Sequence, residues 1–444
     1  MKETKMTLLK RTLLSTSMVS ALALGAVNAN AAGFYIQEQS VSGLGSAFSG
    51  STTTLTDPST IYFNPANMTR INGAQAQFAT HLLVPNSELT DKGSTAVGGA
   101  SIVGNNGGNP YDPTPVPNGF VSYQVNDSLW VGAGVTAPFG LENEYDENWF
   151  GRFDSVKTYL RVFDIQPTIA YKINDMVSIA AGLNIQHAEA ELTNASQAPA
   201  VFGQPEGVST LEGDSVDYGY TLGLSVQPIE PLRLGVSYRS AISHELEGSI
   251  KTEGAGTANF DVSGQADLNL PDVLTVGASY DIDEKWTVMG QATHFGWDNF
   301  KDITATTDET FSVLGGLVSR GAGATVSSVR QGYEDTWAYA IGAEYKASDL
   351  WTLRAGMQFD ETPTTDEFRT SRTPDGDRTW LSGGATYNVN DSLALDLAAT
   401  YIWISDEDID LKRNNAFSTL GQTDVKASTE GNVGIFALGV TYKF

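Results

Sequence analysis

Apolar residues along this chain recur at every second position. In 232–239, Leu232, Leu234, Val236 and Tyr238 alternate with Arg233, Gly235, Ser237 and Arg239. In 351–360, Trp351, Leu353, Ala355, Met357 and Phe359 alternate with Thr352, Arg354, Gly356, Gln358 and Asp360. The run 393–403 sets Leu393, Leu395, Leu397, Ala399, Tyr401 and Trp403 on one face. A period of two is that of a strand with two unlike faces, not of a helix. Several runs exceed about ten residues, the length at which a tilted strand crosses a bilayer.

Five copies of one short phrase punctuate these runs: YQVND from Tyr123, YKIND from Tyr171, YDIDE from Tyr280, YKASD from Tyr345 and YNVND from Tyr387. Each copy ends one alternating run and begins the next. QPIEP at 227–231 supplies a sixth turn. Between the turns lie seven long polar loops, roughly at 87–116, 140–156, 193–213, 247–257, 300–330, 362–376 and 409–424. Six turns and seven loops join fourteen strands and leave both chain ends on one side. A soluble sandwich would show the same alternation with its apolar face inward, but it rarely alternates short turns with long loops. The pattern predicts an all-β fold: a 14-stranded antiparallel transmembrane β-barrel, closed so that no backbone edge meets lipid. The tyrosines then mark an aromatic girdle at the periplasmic interface. The last strand, GNVGIFALGVTYKF, places Phe436, Leu438, Val440, Tyr442 and Phe444 on one face and ends the chain on an aromatic, as outer-membrane barrels typically end.

Residues 1–31 read as a signal peptide, with Lys2, Lys5, Lys10 and Arg11 before an apolar core and Ala29-Asn30-Ala31 as the cleavage site. Residues 32–70 lack sustained alternation yet carry Phe34, Tyr35, Ile36, Leu44, Phe48, Ile61, Tyr62 and Phe63. That is too apolar for a free tail, so the segment is expected to be a hatch, or plug, inside the lumen of the barrel, which occupies 71–444.

Net charge changes the list of partners. The chain carries −26, and removing the four basic residues and one acidic residue of the leader leaves 22 Lys and Arg against 51 Asp and Glu. Such an excess argues against nucleic acid; loop carboxylates suit instead the divalent ions of lipopolysaccharide beside outer-membrane lipid. Cysteine is absent, so a closed hydrogen-bond network must replace disulfide staples. An enzyme is not expected. The four histidines, His81, His187, His244 and His294, form no metal-type pair, and no G-x-S-x-G or P-loop occurs. A barrel hydrolase with a lipid-facing His–Ser pair stays open at this level. SDEDID at 405–410 lacks the glycine of a calcium loop, so neither metal nor cofactor is expected.

The loop GLENEYDENWFGRF at 140–153 offers Leu141, Tyr145, Trp149, Phe150 and Phe153, directly after Phe139. Exposed, these would form an apolar groove for cargo; the alternative is loop-on-loop packing that caps the barrel. In the preceding strand Gly132, Gly134 and Pro138 disfavour a regular ladder, which predicts a defect in the wall, or else small residues packing under the hatch. Arg233, Arg239 and Arg354 fall on the lumen-facing phase and are candidates for an anionic head group, or for pairing with structural carboxylates.

Several stretches, taken in order, resemble one family: AGF after the leader, SGLGSAFSG at 42–50, NPA at 64–66, APFGL at 137–141, QPTIAYKIND at 166–175, LNLPDVLTVG at 268–277 and DRTWLSGGATY at 377–387. Together they resemble the long-chain fatty-acid transporter (FadL-type) family of Gram-negative outer membranes, which includes aromatic-hydrocarbon transporters. The resemblance covers nearly all of the chain beyond the leader. It implies passive, lateral transport: hydrophobic cargo is captured between outer loops, passes to an interior pocket and leaves sideways at a strand kink beside the hatch. It also places Asn64, Pro65 and Ala66 at that gate, with an ordinary turn in the plug as the alternative. Keeping an alkyl chain out of water throughout is worth about 0.8 kcal/mol per CH₂.

The fifth strand ends HAEAELTN at 187–194, acidic where a basic residue is expected for an anionic head group, so neutral aromatic or aliphatic hydrocarbons remain a second cargo class. A general porin or an adhesin is the reading from another class, opposed by the apolar hatch and the aromatic loop. Nothing in the sequence suggests more than a monomer.

Overall fold

A computed structural model of the chain describes residues 33–196, 205–413 and 422–444; the expected signal peptide lies outside the described residues. Six strands each cross the wall in one piece: β1 (Ala74–Asp91), β2 (Thr114–Asn126), β3 (Leu129–Glu144), β4 (Lys157–Lys172), β5 (Val177–Ser196) and β6 (Gly207–Ile229). The next two crossings are each interrupted once, β7 (Leu232–Arg239) with β8 (Ile242–Glu253), and β9 (Phe260–Leu270) with β10 (Val273–Asp281). β11 (Trp286–Phe295) continues into β12 (Asp302–Thr307). A separate outer hairpin follows, β13 (Phe311–Val313) and β14 (Val318–Arg320), and then β15 (Thr325–Arg330) leads into β16 (Thr336–Lys346). β17 (Trp351–Asp360), β18 (Arg378–Asn390), β19 (Leu393–Arg413) and β20 (Thr423–Lys443) complete the wall. β20 pairs with β1 from Lys443↔Gln75 to Ala427↔Asp91 and closes the sheet. The result is a closed barrel of fourteen antiparallel crossings.

The repeated phrase has one structural job. Its fourth residue accepts the backbone N–H two positions on: Asn126 from Ser128 at 2.9 Å, Asn174 from Met176 at 2.8 Å, Asp283 from Lys285 at 2.8 Å, Ser348 from Leu350 at 3.3 Å and Asn390 from Ser392 at 2.9 Å. Each side chain substitutes for a backbone acceptor at the tight turn. The tyrosines stand outward beside these turns, with Trp286 against Tyr345 and Trp351 against Tyr387, at ring separations of 4.5 and 4.6 Å. Above that girdle the wall presents Ile169, Leu397 and Leu438 outward, half exposed. Such a surface suits hydrocarbon as its solvent.

Inside, residues 33–71 fill the lumen. Ile36, Val41, Leu44, Phe48 and Ile61 have no exposed surface. The segment forms two single-turn helices, Val41–Leu44 and Thr60–Phe63, and the 3₁₀ turn Pro65–Arg70. Ser40 caps the first by accepting the N–H of Gly43 at 3.1 Å. The wall makes room by omitting side chains. A Cβ at Gly235 would lie 2.2 Å from the Thr52 carbonyl oxygen, and one at Gly356 would lie 2.0 Å from that of Ser46. Only glycine lets the hatch backbone come so near.

Candidate transport path

The ladder between β2 and β3 runs from Asn126↔Leu129 to Gly119↔Val135, and beyond that point no ladder pair joins the two strands. On the β2 side the break falls in Thr114–Asn118, where Pro115 and Pro117 have no N–H to donate. On the other side β3 carries one extra residue relative to β4 between Thr136 and Phe139. A single extra residue inverts the alternation downstream of it. Before the bulge Trp130 points inward, its indole N–H donating to the Ile71 carbonyl at 2.7 Å; after it Asn143 does, donating to the Arg372 carbonyl at 2.7 Å. The bulge therefore turns Phe139 and Leu141 into the lumen.

The start of the hatch lies across this break. The Ile36 N–H donates to the Pro138 carbonyl at 2.8 Å, and the Gly140 N–H donates to that of Phe34 at 3.0 Å. The Gln39 amide donates to the Ala137 carbonyl at 2.8 Å, and Asn118 of β2 reaches the Glu38 carbonyl at 3.4 Å. Above this strap is an apolar cavity walled by Phe34, Leu141, Leu160, Ala190, Leu246 and Leu268 among others. Farther out, an open groove of about 1790 Å³ runs between the outer loops past Phe153, Ile250, Phe260, Phe311, Val313 and Val326, with Lys251 and Arg320 on its walls. Groove and cavity share Leu192, Leu211, Ile303 and Arg372. The Arg372 guanidinium is held there by the carbonyls of Lys157 and Thr193, each at 3.1 Å.

The structure distributes the candidate residues differently from the sequence reading. Tyr145, Trp149 and Phe150 do not line an exposed groove; they are buried, at 2%, 0% and 1% exposure. Tyr145 and Trp149 stack at 3.9 Å and, with Phe150, pack on Leu89, Ile409, Leu411 and Val425 of the extended outer strands. Apolar area on this scale is more stable collapsed against the strand extensions than held in water. Of the group, Phe153 lines the outer groove and Leu141 the cavity, while Phe139 sits under the strap, 5.4 Å from the Tyr35 ring.

Asn64, Pro65 and Ala66 lie away from the break. Asn64 donates to the carbonyls of Thr52 at 2.9 Å and Leu224 at 3.0 Å, so the motif packs on Gly223 of β6. Gly132 and Gly134 stand in an unbroken ladder, opposite Ser122 and Phe120, and admit Ile61, Met68 and Phe120. Pro138 alone of the six gate candidates is at the break.

Each candidate arginine contacts a carboxylate. Arg233 pairs with Asp281; Arg354 pairs with Glu344 at 2.8 Å. Arg239 reaches Asp164 at 2.6 Å and Gln166 at 2.7 Å, with its guanidinium 4.3 Å above the Tyr62 ring. None of the three lines the groove or the cavity. In HAEAELTN the cavity is lined by Ala190 and Leu192, not by Glu189 or Glu191, and Glu191 pairs with Lys157 at 2.7 Å. The sequence reading missed Arg372, which the loop after β17 folds inward, and the two β2 prolines. The signals were RTSR at 369–372, basic within an acidic chain, and the alternate prolines of TPVP at 114–117.

Comparison with known proteins agrees with this architecture. The model of the outer membrane protein transport protein (OMPP1/FadL/TodX) family matches residues 22–444. The chain belongs to this family. Among curated relatives it is 26% identical, over 428 residues, to the long-chain fatty acid transport protein of Escherichia coli O6:H1, covering 88% of this chain and 92% of that one. It is 24% identical over 470 residues to outer membrane protein P1 of Haemophilus influenzae, covering 96% and 98%. Two solved structures share the fold: a Pseudomonas aeruginosa FadL homologue, at TM-score 0.84 and 23% identity over 93% of this chain and 100% of that one, and the P. putida toluene transporter TodX, at TM-score 0.65 and 16% identity over 90% and 98%. As a FadL/TodX-type protein the chain resides in the outer membrane of a Gram-negative bacterium, in a family that transports hydrophobic molecules.

Proposed function

We propose that this protein carries long-chain fatty acids passively across the outer membrane and releases them sideways through the β2–β3 break. The observation that carries the reading is the continuity of apolar surface: the outer groove shares four residues with the cavity, and the cavity ends on Phe34 and Leu141 at the strap. Cargo on this route exchanges one apolar wall for another and never returns its chain to water. No energy source is needed, because partition into lipid at the exit draws the flux.

Fatty acid is the first reading because cations stand along the path, on walls that Asp154, Glu212 and Asp267 also line. Lys251 and Arg320 border the groove and Arg372 stands at its neck, the places where a carboxylate head would enter. The relatives named as long-chain fatty acid transport proteins support the same cargo. Hydrocarbon transport is the second reading, supported by the almost wholly apolar lining of the cavity and by the fold shared with a toluene transporter. The test is growth on oleate of a host lacking its own transporter. Rescue by this gene supports the reading; no rescue despite full surface expression overturns it as far as fatty acid is concerned.

A further inference from the structure

Glu38 sits in the middle of the strap, where the hatch crosses from β2 to β3. It has no exposed surface, and neither carboxylate oxygen has a hydrogen-bond partner. The amides of Gln37 and of Glu38 itself lie close enough to favour the anion without making a good hydrogen bond. Ionised, such a group carries most of its desolvation cost uncompensated.

The surroundings offer little relief. From β18, Arg378 attracts it, but that guanidinium is already engaged by Asp375. From β17, Asp360 repels it. From β1 comes the buried imidazole of His81, whose Nε2 has no partner, and from β2 Asn118, whose amide meets His81 Nδ1 at 3.4 Å. The hatch itself contributes Tyr35, which accepts from the Tyr62 hydroxyl at 3.0 Å. Burial above all pushes the Glu38 carboxyl up to about 7.

We propose that Glu38 makes the strap 33–39 a proton-controlled latch: with the carboxyl neutral the strap lies in the wall break, and ionisation drives it out. The proposal rests on the break being the exit, but its test reads the strap alone. The direction follows from linkage. A carboxyl that titrates higher when docked than its ordinary 4.5 favours docking at low pH. Docking then weakens as pH rises from about 4.5 and changes no further above about 7. Between pH 5 and pH 8 the opening equilibrium shifts by roughly fifty-fold.

The experiment is hydrogen–deuterium exchange on the purified full chain in micelles from pH 5 to 8, corrected for the intrinsic rate. Protection of the Ile36 and Gly140 amides is expected to fall by roughly fifty-fold across that range, while the β19–β20 ladder stays protected. Glu38→Gln is expected to keep the strap protected at every pH. Asp360→Asn, which leaves the Glu38 carboxyl in place but removes a like charge, is expected to lower the pH at which protection stops falling, and so to raise protection at pH 7–8, by easing ionisation while docked. Flat strap protection in the unaltered chain, or an unchanged slope in Glu38→Gln, overturns the latch. If Glu38→Gln does not assemble, an unmoved midpoint in Asp360→Asn does the same. Uptake that ignores an opening strap would count against the exit route, not against the latch.

Discussion

The Ile36 amide donates to the Pro138 carbonyl at 2.8 Å, so the hatch, not the neighbouring barrel strand, satisfies the wall backbone at the bulge. Backbone polar groups at membrane depth need such partners. The contact that seals the wall is therefore also the one that must yield if cargo leaves there. Tyr35 and Phe139 form an antiparallel bridge within it, and paired residues in such a bridge lie at about 4.5–5.5 Å between Cα atoms, within reach of a disulfide. In this cysteine-free chain, Tyr35→Cys with Phe139→Cys is expected to block oleate uptake when oxidised and to restore it on reduction. Equal uptake in both states would remove the strap from the transport route.

A substitution at Arg372 tests which of the two cargo classes is carried. Arg372→Gln is expected to weaken fatty-acid binding by about tenfold, or 1.4 kcal/mol, through loss of the charge-assisted contact. Binding of a neutral hydrocarbon of similar length should stay within about twofold. Because Arg372 also binds the carbonyls of Lys157 and Thr193, a purely structural role would reduce both equally. Titration with a fluorescent fatty acid and its methyl ester reads the difference.

The cavity itself is tested by filling it. Ala190 lines it from β5, and Ala190→Phe places a phenyl ring in that space. Uptake is expected to fall by roughly tenfold, and the folded band in heat-modifiability gels checks that the barrel still assembles around the added ring. Unaltered uptake would place the cargo elsewhere.

How far these features were legible in the sequence depends on how local they are. The turn phrase was legible because each copy works within six residues: its Asn, Asp or Ser binds an amide two positions on. The inward phase of Arg239 was legible from alternation, but its partner Asp164 is 75 residues away on another strand. The wall break was only half legible. Pro138 marks the bulge, yet the break also needs β2 to stop pairing, and that depends on Pro115, Pro117 and the hatch together. Gly132 and Gly134 looked like defects because glycine weakens strands; their ladder is intact, and they serve close packing instead. The aromatic loop misled for a thermodynamic reason. Trp149 and Tyr145 bury themselves on strand extensions that alternation predicts only as loop.

That burial gives a prediction opposite to the one for a cargo groove. Trp149 is fully buried and donates its indole N–H to the Ser155 carbonyl at 2.7 Å. Trp149→Ala is expected to cost the outer cap about 3–5 kcal/mol and to expose the loop to protease on intact cells. Initial fatty-acid binding should change little beside Phe153→Ala, whose side chain does line the groove. A selective binding loss in Trp149→Ala would restore the groove reading for that residue.

Arg239 and Asp164 supply a test of stability inside the lumen. Both are buried, 2.6 Å apart, and Asp164 also accepts from Asn184 at 2.8 Å. Removing one partner of a buried pair leaves an uncompensated charge, so Arg239→Met is expected to destabilise the barrel by about 3–5 kcal/mol. Asp164→Asn together with Arg239→Met removes both charges and should recover most of that loss. The readout is the temperature at which the folded band disappears in heat-modifiability gels. Arg239 also lies over Tyr62, which donates to Tyr35 in the strap. The single mutant is therefore expected to speed exchange of the Ile36 amide more than that of the distant β19–β20 ladder. A uniform change across both would make the pair a support of the wall alone.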